Sequence, residues 1–143
     1  MAQSNFFPRP PEKKIFPDIL GAYRDFSYLC KRNTWIMTKK NRYVLDQIRQ
    51  VARNSAPEGS VVLLFGSRAR GQARRGSDWD ILIVLPKSQL QQADYDQVSY
   101  PLVELGWTLG EQINPIVYTK QEWEASSITP FYDNVQRDGI SLL

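Results

Sequence analysis

The pattern of hydrophobic and polar positions predicts that helices and strands alternate along most of the chain. Apolar residues recur at helical spacing over residues 42–53, which indicates an amphipathic helix. The run Val61–Phe65 is short, apolar and β-branched, as is typical of a strand covered on both faces. A second strand is predicted over Asp78–Leu85. Between the strands, Ser67 is placed to cap a short helix over Arg68–Gly71.

The following segment predicts one more helix and one more strand. Leucines at helical spacing indicate a helix that ends near Gly110, and Pro101 either opens this helix or kinks one that begins near Asp94. A third strand is predicted over Ile113–Thr119. Because Pro115 within it has no N–H to donate, this strand belongs at a sheet edge or a bulge.

The end of the chain completes the outline of a single domain. A last short helix is predicted over Pro130–Arg137, with Gly139 as its C-cap. The order helix, strand, strand, helix, strand, helix predicts one small sheet covered by helices. A length of 143 residues suits one such domain with one core.

The first part of the chain reads differently from the rest. Four prolines and scattered basic and aromatic residues interrupt residues 1–36, which predicts a poorly ordered extension with one short helix near Ile19–Leu29. Met37 is an alternative start for the domain, which would then span residues 37–143. A truncation beginning at Met37 that failed to fold would refute this boundary.

Composition narrows the chemistry that is available. The chain has no histidine, which removes the usual general base, the usual zinc ligand and every imidazole-based catalytic triad. Cys30 is the single cysteine and forms no internal disulfide, which fits a reducing, cytoplasmic location. The longest apolar runs are far too short to span a bilayer, so we expect no integral membrane protein. The net charge of +3 says little about nucleic acid.

A phosphate-binding turn is indicated where the first strand ends. Gly66 has no side chain to block the close approach of a phosphate. The amides around Ser67 open a helix, whose N-terminus favours anions, and the Ser67 hydroxyl adds a donor. Arg68 and Arg70 supply positive charge for a triphosphate.

A pair of aspartates is indicated as a metal site. Asp78 and Asp80 are two residues apart on a predicted strand, so both carboxylates point to one face with Cα atoms about 6.5 Å apart. Side chains at this spacing converge on one ion or bracket two ions. Magnesium takes one or two carboxylates, with phosphates and water completing its octahedron.

These residues together carry a family resemblance. Gly66-Ser67, ten further residues and Asp78-Trp79-Asp80 form a pattern that resembles the nucleotidyltransferase superfamily containing DNA polymerase beta. More closely, the pattern is similar to the minimal nucleotidyltransferases of prokaryotes, which are often found beside HEPN-domain toxins. The resemblance covers roughly residues 41–143. It implies an α+β fold, a small mixed β-sheet with helices packed on it.

The resemblance also implies a function. Asp78 and Asp80 would be the catalytic residues and would hold two Mg²⁺ ions, while Gly66, Ser67, Arg68 and Arg70 bind ATP. An acceptor hydroxyl would attack the α-phosphate and pyrophosphate would leave. Several relatives transfer AMP to a tyrosine of a partner HEPN-type toxin, so the resemblance implies an antitoxin.

One departure from the family pattern supports a different function. Many active relatives carry a third carboxylate on the strand that matches Ile113–Thr119, whereas this chain has Asn114 there. An amide cannot serve as a carboxylate base, and Glu104 or Glu111 would have to substitute. The alternative is therefore a catalytically degenerate binding module that neutralises its partner by complex formation.

Other interpretations are weaker. Gly66 to Gly71 also fits the first part of a P-loop, but Gln72-Ala73 stand where that motif needs Lys and Ser or Thr. The arginine-rich loop that includes Arg74 and Arg75 is either solvated or a nucleic-acid patch, and the patch is not favoured. The tryptophans are assigned structural roles. Trp79 is expected to pack on the side opposite the aspartates, and Trp107 and Trp123 are expected in the core or on a partner surface.

Overall fold

The computed structural model describes residues 37–143 of the chain. The predicted extension and the helix near Ile19–Leu29 lie outside the described residues. The helices and strands are, in chain order, α1 (Lys39–Ser55), β1 (Val61–Phe65), α2 (Gly66–Ala69), β2 (Trp79–Leu85), α3 (Gln92–Asp94), a π-helical turn (Tyr95–Ser99), α4 (Tyr100–Leu109), β3 (Ile113–Thr119), α5 (Lys120–Ala125), a 3-10 turn (Ser126–Ile128), α6 (Pro130–Asp138) and β4 (Ile140–Ser141).

The four strands form one mixed sheet in the order β3-β2-β1-β4. β1 is antiparallel to both β2 and β4, while β2 and β3 are parallel. Strand β3 therefore lies at an edge of the sheet, and the position predicted from Pro115 is confirmed. The predicted α+β class, a small mixed sheet with helices packed on it, is confirmed as well.

Two hydrophobic clusters sandwich the sheet because successive strand residues point to opposite faces. Trp79 and Ile81 of β2 pack with the apolar face of α1 and with Leu102 of α4. On the other face, Leu82 packs with Trp123 of α5 and with residues of α6. Both faces of β2 are thus covered, as its nearly continuous apolar run predicts.

Several predicted details are changed by the structure. The cap of α2 is Phe65 and its side chain makes no capping bond, so the assignment of Ser67 as the cap is wrong; the helix begins two residues earlier than predicted, directly after the strand. Pro101 lies in the first turn of α4 and follows a π-helical turn. Strand β4 and helix α5 were not predicted. No helix among residues 37–143 is long and apolar enough to cross a membrane.

The tryptophans divide between the core and the surface. Trp123 is 1% exposed and lies in the core, in edge-to-face contact with Phe131. Trp79 is fully buried and packs on the face opposite Asp80, as predicted. Trp107 is 68% exposed, so it does not belong to the core, and of its two predicted positions only a surface position agrees with the structure.

Candidate active site

Three polar side chains converge where β2 begins. Asp80 pairs with Asn114 in the register of the parallel strands β2 and β3. The amide nitrogen Nδ2 of Asn114 donates to Asp78 Oδ2 at 3.1 Å and to Asp80 Oδ1 at 3.3 Å. Because one nitrogen contacts both carboxylates, Asp78 and Asp80 approach the same point on one face of the sheet.

The orientation of Asn114 is set by its neighbours. Ionised carboxylates only accept hydrogen bonds, so the NH₂ group of the amide must face them. The amide oxygen then accepts from Gln112 Nε2 at 2.9 Å. Sequence reasoning missed Gln112, because nothing in the local pattern shows that it contacts Asn114. Asn114 therefore acts here as a neutral donor that bridges two negative charges.

The glycine-serine turn lies directly against this pair. Gly66 has a φ of +74°, and a Cβ added to it would collide with Asp80 Oδ2 and lie 3.3 Å from Asp80 Cγ. Glycine is therefore required at this position for two reasons: the positive φ angle and the close approach of the Asp80 carboxylate. The turn that ends β1 and the aspartates that open β2 thus form one site.

The other predicted phosphate ligands fall into two groups. The first amides of α2 have no partner within that helix, and Gly66, its first residue, lies against Asp80. Arg70 is exposed, and its Nε donates to the Gln72 side chain at 3.1 Å. Arg68 differs from both, because its side chain is only 4% exposed and points into the protein.

Arg68 belongs to a buried charged cluster. Its guanidinium lies 4.0 Å from the ring centre of Trp79 and 3.6 Å from Glu111 Oε2. Burial lowers the pKa of Arg68, and the charges of Glu111, Asp78 and Asp80 oppose that change. Burial acts to raise the pKa of Glu111, but hydrogen bonds from Lys40 and Trp79 and the charges of Lys40 and Arg68 lower it on balance.

Neither candidate substitute for a third carboxylate joins the aspartate pair. Glu111 accepts from Trp79 Nε1 at 3.2 Å and pairs with Lys40 Nζ at 2.7 Å, on the face of the sheet opposite Asp80. Glu104 is exposed on α4. The expectation that one of them takes the role of a third carboxylate is therefore not supported. Within residues 37–143, no cluster of three or more Asp, Glu, His or Cys side chains would hold a metal ion alone.

The donor set nevertheless fits Mg²⁺ bound together with a nucleotide. Magnesium in proteins commonly has one or two carboxylate ligands and takes its remaining oxygens from phosphates and water. Asp78 is exposed and Asp80 is half-buried, so both carboxylates are accessible from solvent. In such a site the triphosphate supplies the remaining ligands, and the Gly66-Ser67 turn lies next to the aspartates, where it would bind the phosphates.

A large cleft lies next to Arg68 and Glu111, on the face of the sheet opposite Asp80. It encloses about 990 Å³ between the start of α1, the end of α4 and the arginine-rich loop, with Lys40, Arg74, Arg75 and Trp107 among its lining residues. Neither Asp78 nor Asp80 lines it. The cleft is therefore distinct from the place where the carboxylates converge.

A small mixed sheet with an Asp-x-Asp pair facing a Gly-Ser turn is the arrangement of a nucleotidyltransferase. A family profile described as a nucleotidyltransferase domain matches residues 45–134, which is more than half of the chain. The protein therefore belongs to the nucleotidyltransferase domain family, and the resemblance drawn from the sequence is confirmed at this level. No curated protein matches the chain.

Similar solved structures come from toxin–antitoxin complexes. A crystal structure of a toxin–antitoxin with AMP-PNP has a TM-score of 0.51 and 21% identity, covering 69% of this chain and 72% of that one. A mutant of the toxin–antitoxin MntA–HpeT gives 0.49 and 19%, with coverage of 69% and 71%. The tri-AMPylated Shewanella oneidensis HEPN toxin in complex with MNT antitoxin gives 0.48 and 18%, with coverage of 71% for both. Only the first of these scores supports the fold, and at these identities the likeness concerns the fold alone.

Proposed function

We propose that this protein transfers AMP from ATP to a tyrosine hydroxyl of a HEPN-type toxin and thereby acts as its antitoxin. The observation that carries this proposal is the convergence of Asp78 and Asp80 beside the Gly66-Ser67 turn. Two carboxylates beside the first turn of a helix, whose first amides have no partner within the helix, suit a magnesium-bound triphosphate. The similarity to a toxin–antitoxin with AMP-PNP supports the nucleotide and the kind of partner.

The proposed reaction is an in-line displacement at the α-phosphorus. The acceptor oxygen forms a bond to that phosphorus, the bond to the oxygen that bridges to the β-phosphate breaks, and pyrophosphate leaves. The acceptor proton passes to solvent, because the amide of Asn114 cannot take it. Mg²⁺ held by Asp78 and Asp80 would supply charge stabilisation at the phosphates.

The residues around the metal have separate roles in this proposal. Asp78 and Asp80 hold the cations, and the Gly66-Ser67 amides with Arg70 bind the phosphate chain. Helix α2 is a single turn, so its macrodipole is small and its first amides, which have no partner within the helix, would contribute most of the attraction. Gln112 holds Asn114 in place at 2.9 Å.

A separate protein is expected to present the acceptor. The similar structure of a toxin–antitoxin with AMP-PNP supports a partner protein as the source of the acceptor. Exposed aromatic side chains on α1 and α4, among them Tyr43 and Trp107, offer surface for such a partner. The acceptor is therefore expected on the toxin and not on this chain.

The test uses ATP labelled at two different phosphorus atoms. With Mg²⁺ and a purified HEPN-type toxin, label on the α-phosphorus should appear on the toxin, and label on the γ-phosphorus should not. Asp78→Asn and Asp80→Asn should each abolish transfer, while Asp96→Asn, an exposed carboxylate on the π-helical turn, should leave it intact. Transfer of the γ-label, or full transfer by both active-site variants, would contradict the proposal.

A second candidate function rests on Asn114. Its amide donates to both carboxylates at the point where a cation would bind, and a third carboxylate is absent there. This arrangement favours a degenerate domain that neutralises the toxin by covering it. If protein carrying both Asp78→Asn and Asp80→Asn still neutralises the toxin fully, the binding function is correct.

A further inference from the structure

The two aspartates are held in different ways. Asp80 lies within the sheet, where it pairs with Phe65 of β1 and with Asn114 of β3. Asp78 precedes the first residue of β2 and has no strand partner in these pairings. The sheet therefore fixes the backbone of Asp80 from both sides, and the backbone of Asp78 needs another support.

Arg68 provides that support. Its Nε donates to the carbonyl of Ser77 at 3.0 Å and to the carbonyl of Asp78 at 3.2 Å. Its terminal nitrogen donates to the Ser77 carbonyl as well, at 2.5 Å. The planar guanidinium makes these bonds from one rigid group, whereas the ammonium of lysine is a point charge on a flexible stem.

Arg68 is itself held from the other side. The Trp79 ring lies against its guanidinium at 4.0 Å, and Glu111 balances its charge at 3.6 Å. Glu111 is 10% exposed and is bound in turn by Trp79 and by Lys40 of α1. A buried cation needs such partners, since an unpaired one is strongly destabilising.

We propose that Arg68 is a positioning residue that holds the Asp78 carboxylate in register with the Gly66-Ser67 turn. This replaces the assignment of Arg68 to the phosphates, because its donors are directed at backbone carbonyls. Since Arg68 directly follows Ser67, one residue joins the phosphate-binding turn to the metal-binding loop. The inference rests on the proposed function only in taking Asp78 as a ligand of the metal–nucleotide.

The test measures metal binding separately from transfer. Mn²⁺ affinity is measured in the presence of α,β-methylene-ATP, in which a methylene replaces the oxygen whose bond would break. Arg68→Lys should weaken Mn²⁺ binding and lower kcat, each by about tenfold or more, as is common for residues that orient metal ligands. KM for ATP should rise together with this loss, because metal and nucleotide bind jointly, whereas the affinity for α,β-methylene-ATP without a divalent cation should stay close to that of the wild type. Arg75→Lys, at an exposed arginine of the loop between α2 and β2, is the matched control and should change neither Mn²⁺ affinity nor kcat.

A second variant covers the case in which Arg68→Lys does not fold. Glu111→Gln keeps the size of the side chain and removes the charge that balances Arg68, so it should weaken Mn²⁺ binding in the same direction by a smaller factor. Unchanged Mn²⁺ affinity in the folded variants, or a rise in KM for ATP alone, would overturn the inference. If the wild-type protein itself binds no Mn²⁺ with the nucleotide, the proposed function fails first, and the inference fails with it.

Discussion

Gly66 offers the sharpest test of the site, because the structure supplies a matched control for its substitution. Gly66 and Gly76 have nearly the same backbone angle, with φ of +74° and +81°. A Cβ at Gly66 would collide with Asp80 Oδ2, whereas a Cβ at Gly76 would meet nothing within 4 Å. Substitution of each by alanine therefore separates the effect of the backbone angle from the effect of the contact with Asp80.

The positive φ angle alone should destabilise the folded state of either alanine variant by about 1–2 kcal/mol, since a side chain is strained in the left-handed region. The loss of conformational freedom in the unfolded chain offsets this by about 0.4–1 kcal/mol. Gly76→Ala should then lower the free energy of unfolding by about 1 kcal/mol. For a domain of roughly 100 residues, this loss corresponds to a fall in Tm of about 4–8 °C. Metal binding and transfer should be retained.

Gly66→Ala carries the same cost and in addition must displace the Asp80 carboxylate. We expect a larger loss of stability than in Gly76→Ala, and Mn²⁺ affinity with α,β-methylene-ATP reduced by about tenfold or more. Urea unfolding and equilibrium metal titration measure the two effects. If both variants show the same stability and the same Mn²⁺ affinity as each other, the contact between Gly66 and Asp80 is not part of the site.

Three further outcomes are expected. Asn114→Asp should bind Mn²⁺ about tenfold more tightly in the same titration, since it replaces an amide donor with a third carboxylate; unchanged affinity would place Asn114 outside the site. The pKa of Glu111 is lower in the folded protein than its ordinary value of 4.5. Its ionised carboxylate therefore stabilises the fold at pH values above 4.5, and this stabilisation is lost as the pH falls through the folded pKa. The difference in unfolding free energy between wild type and Glu111→Gln should therefore shrink in acid, and a difference independent of pH would contradict this. Trp123→Ala should lower the free energy of unfolding by about 3–5 kcal/mol and Trp107→Ala by less than about 0.5 kcal/mol, and equal losses would contradict the assignments to core and surface.

The sequence predicts the elements that depend on local pattern. The apolar run of β1 and the edge position of Pro115 follow from strand chemistry alone, and both agree with the structure. The two-residue period of a strand predicts that Asp78 and Asp80 converge, and their side chains do so, although Asp78 lies one residue before β2. These features need no knowledge of distant residues, which is why they are accessible from the chain.

The features that escaped prediction depend mostly on contacts between distant residues. Strand β4 is two residues long and exists through its pairing with Leu63 and Leu64, so its own pattern is too short to read. The role of Arg68 depends on Glu111, which lies far along the chain. Helix α5 is different, because Thr119 and Glu122 form a capping box that the sequence does display.

The most direct measurement is the affinity for α,β-methylene-ATP with and without Mg²⁺ in the wild type, Asp78→Asn, Asp80→Asn and the control Asp96→Asn. If the two carboxylates share cations with a triphosphate, Mg²⁺ should strengthen binding in the wild type and the control and have little effect in the two active-site variants. Equal affinity with and without Mg²⁺ in the wild type, or the same strengthening in all four proteins, would contradict a metal–nucleotide site at this pair.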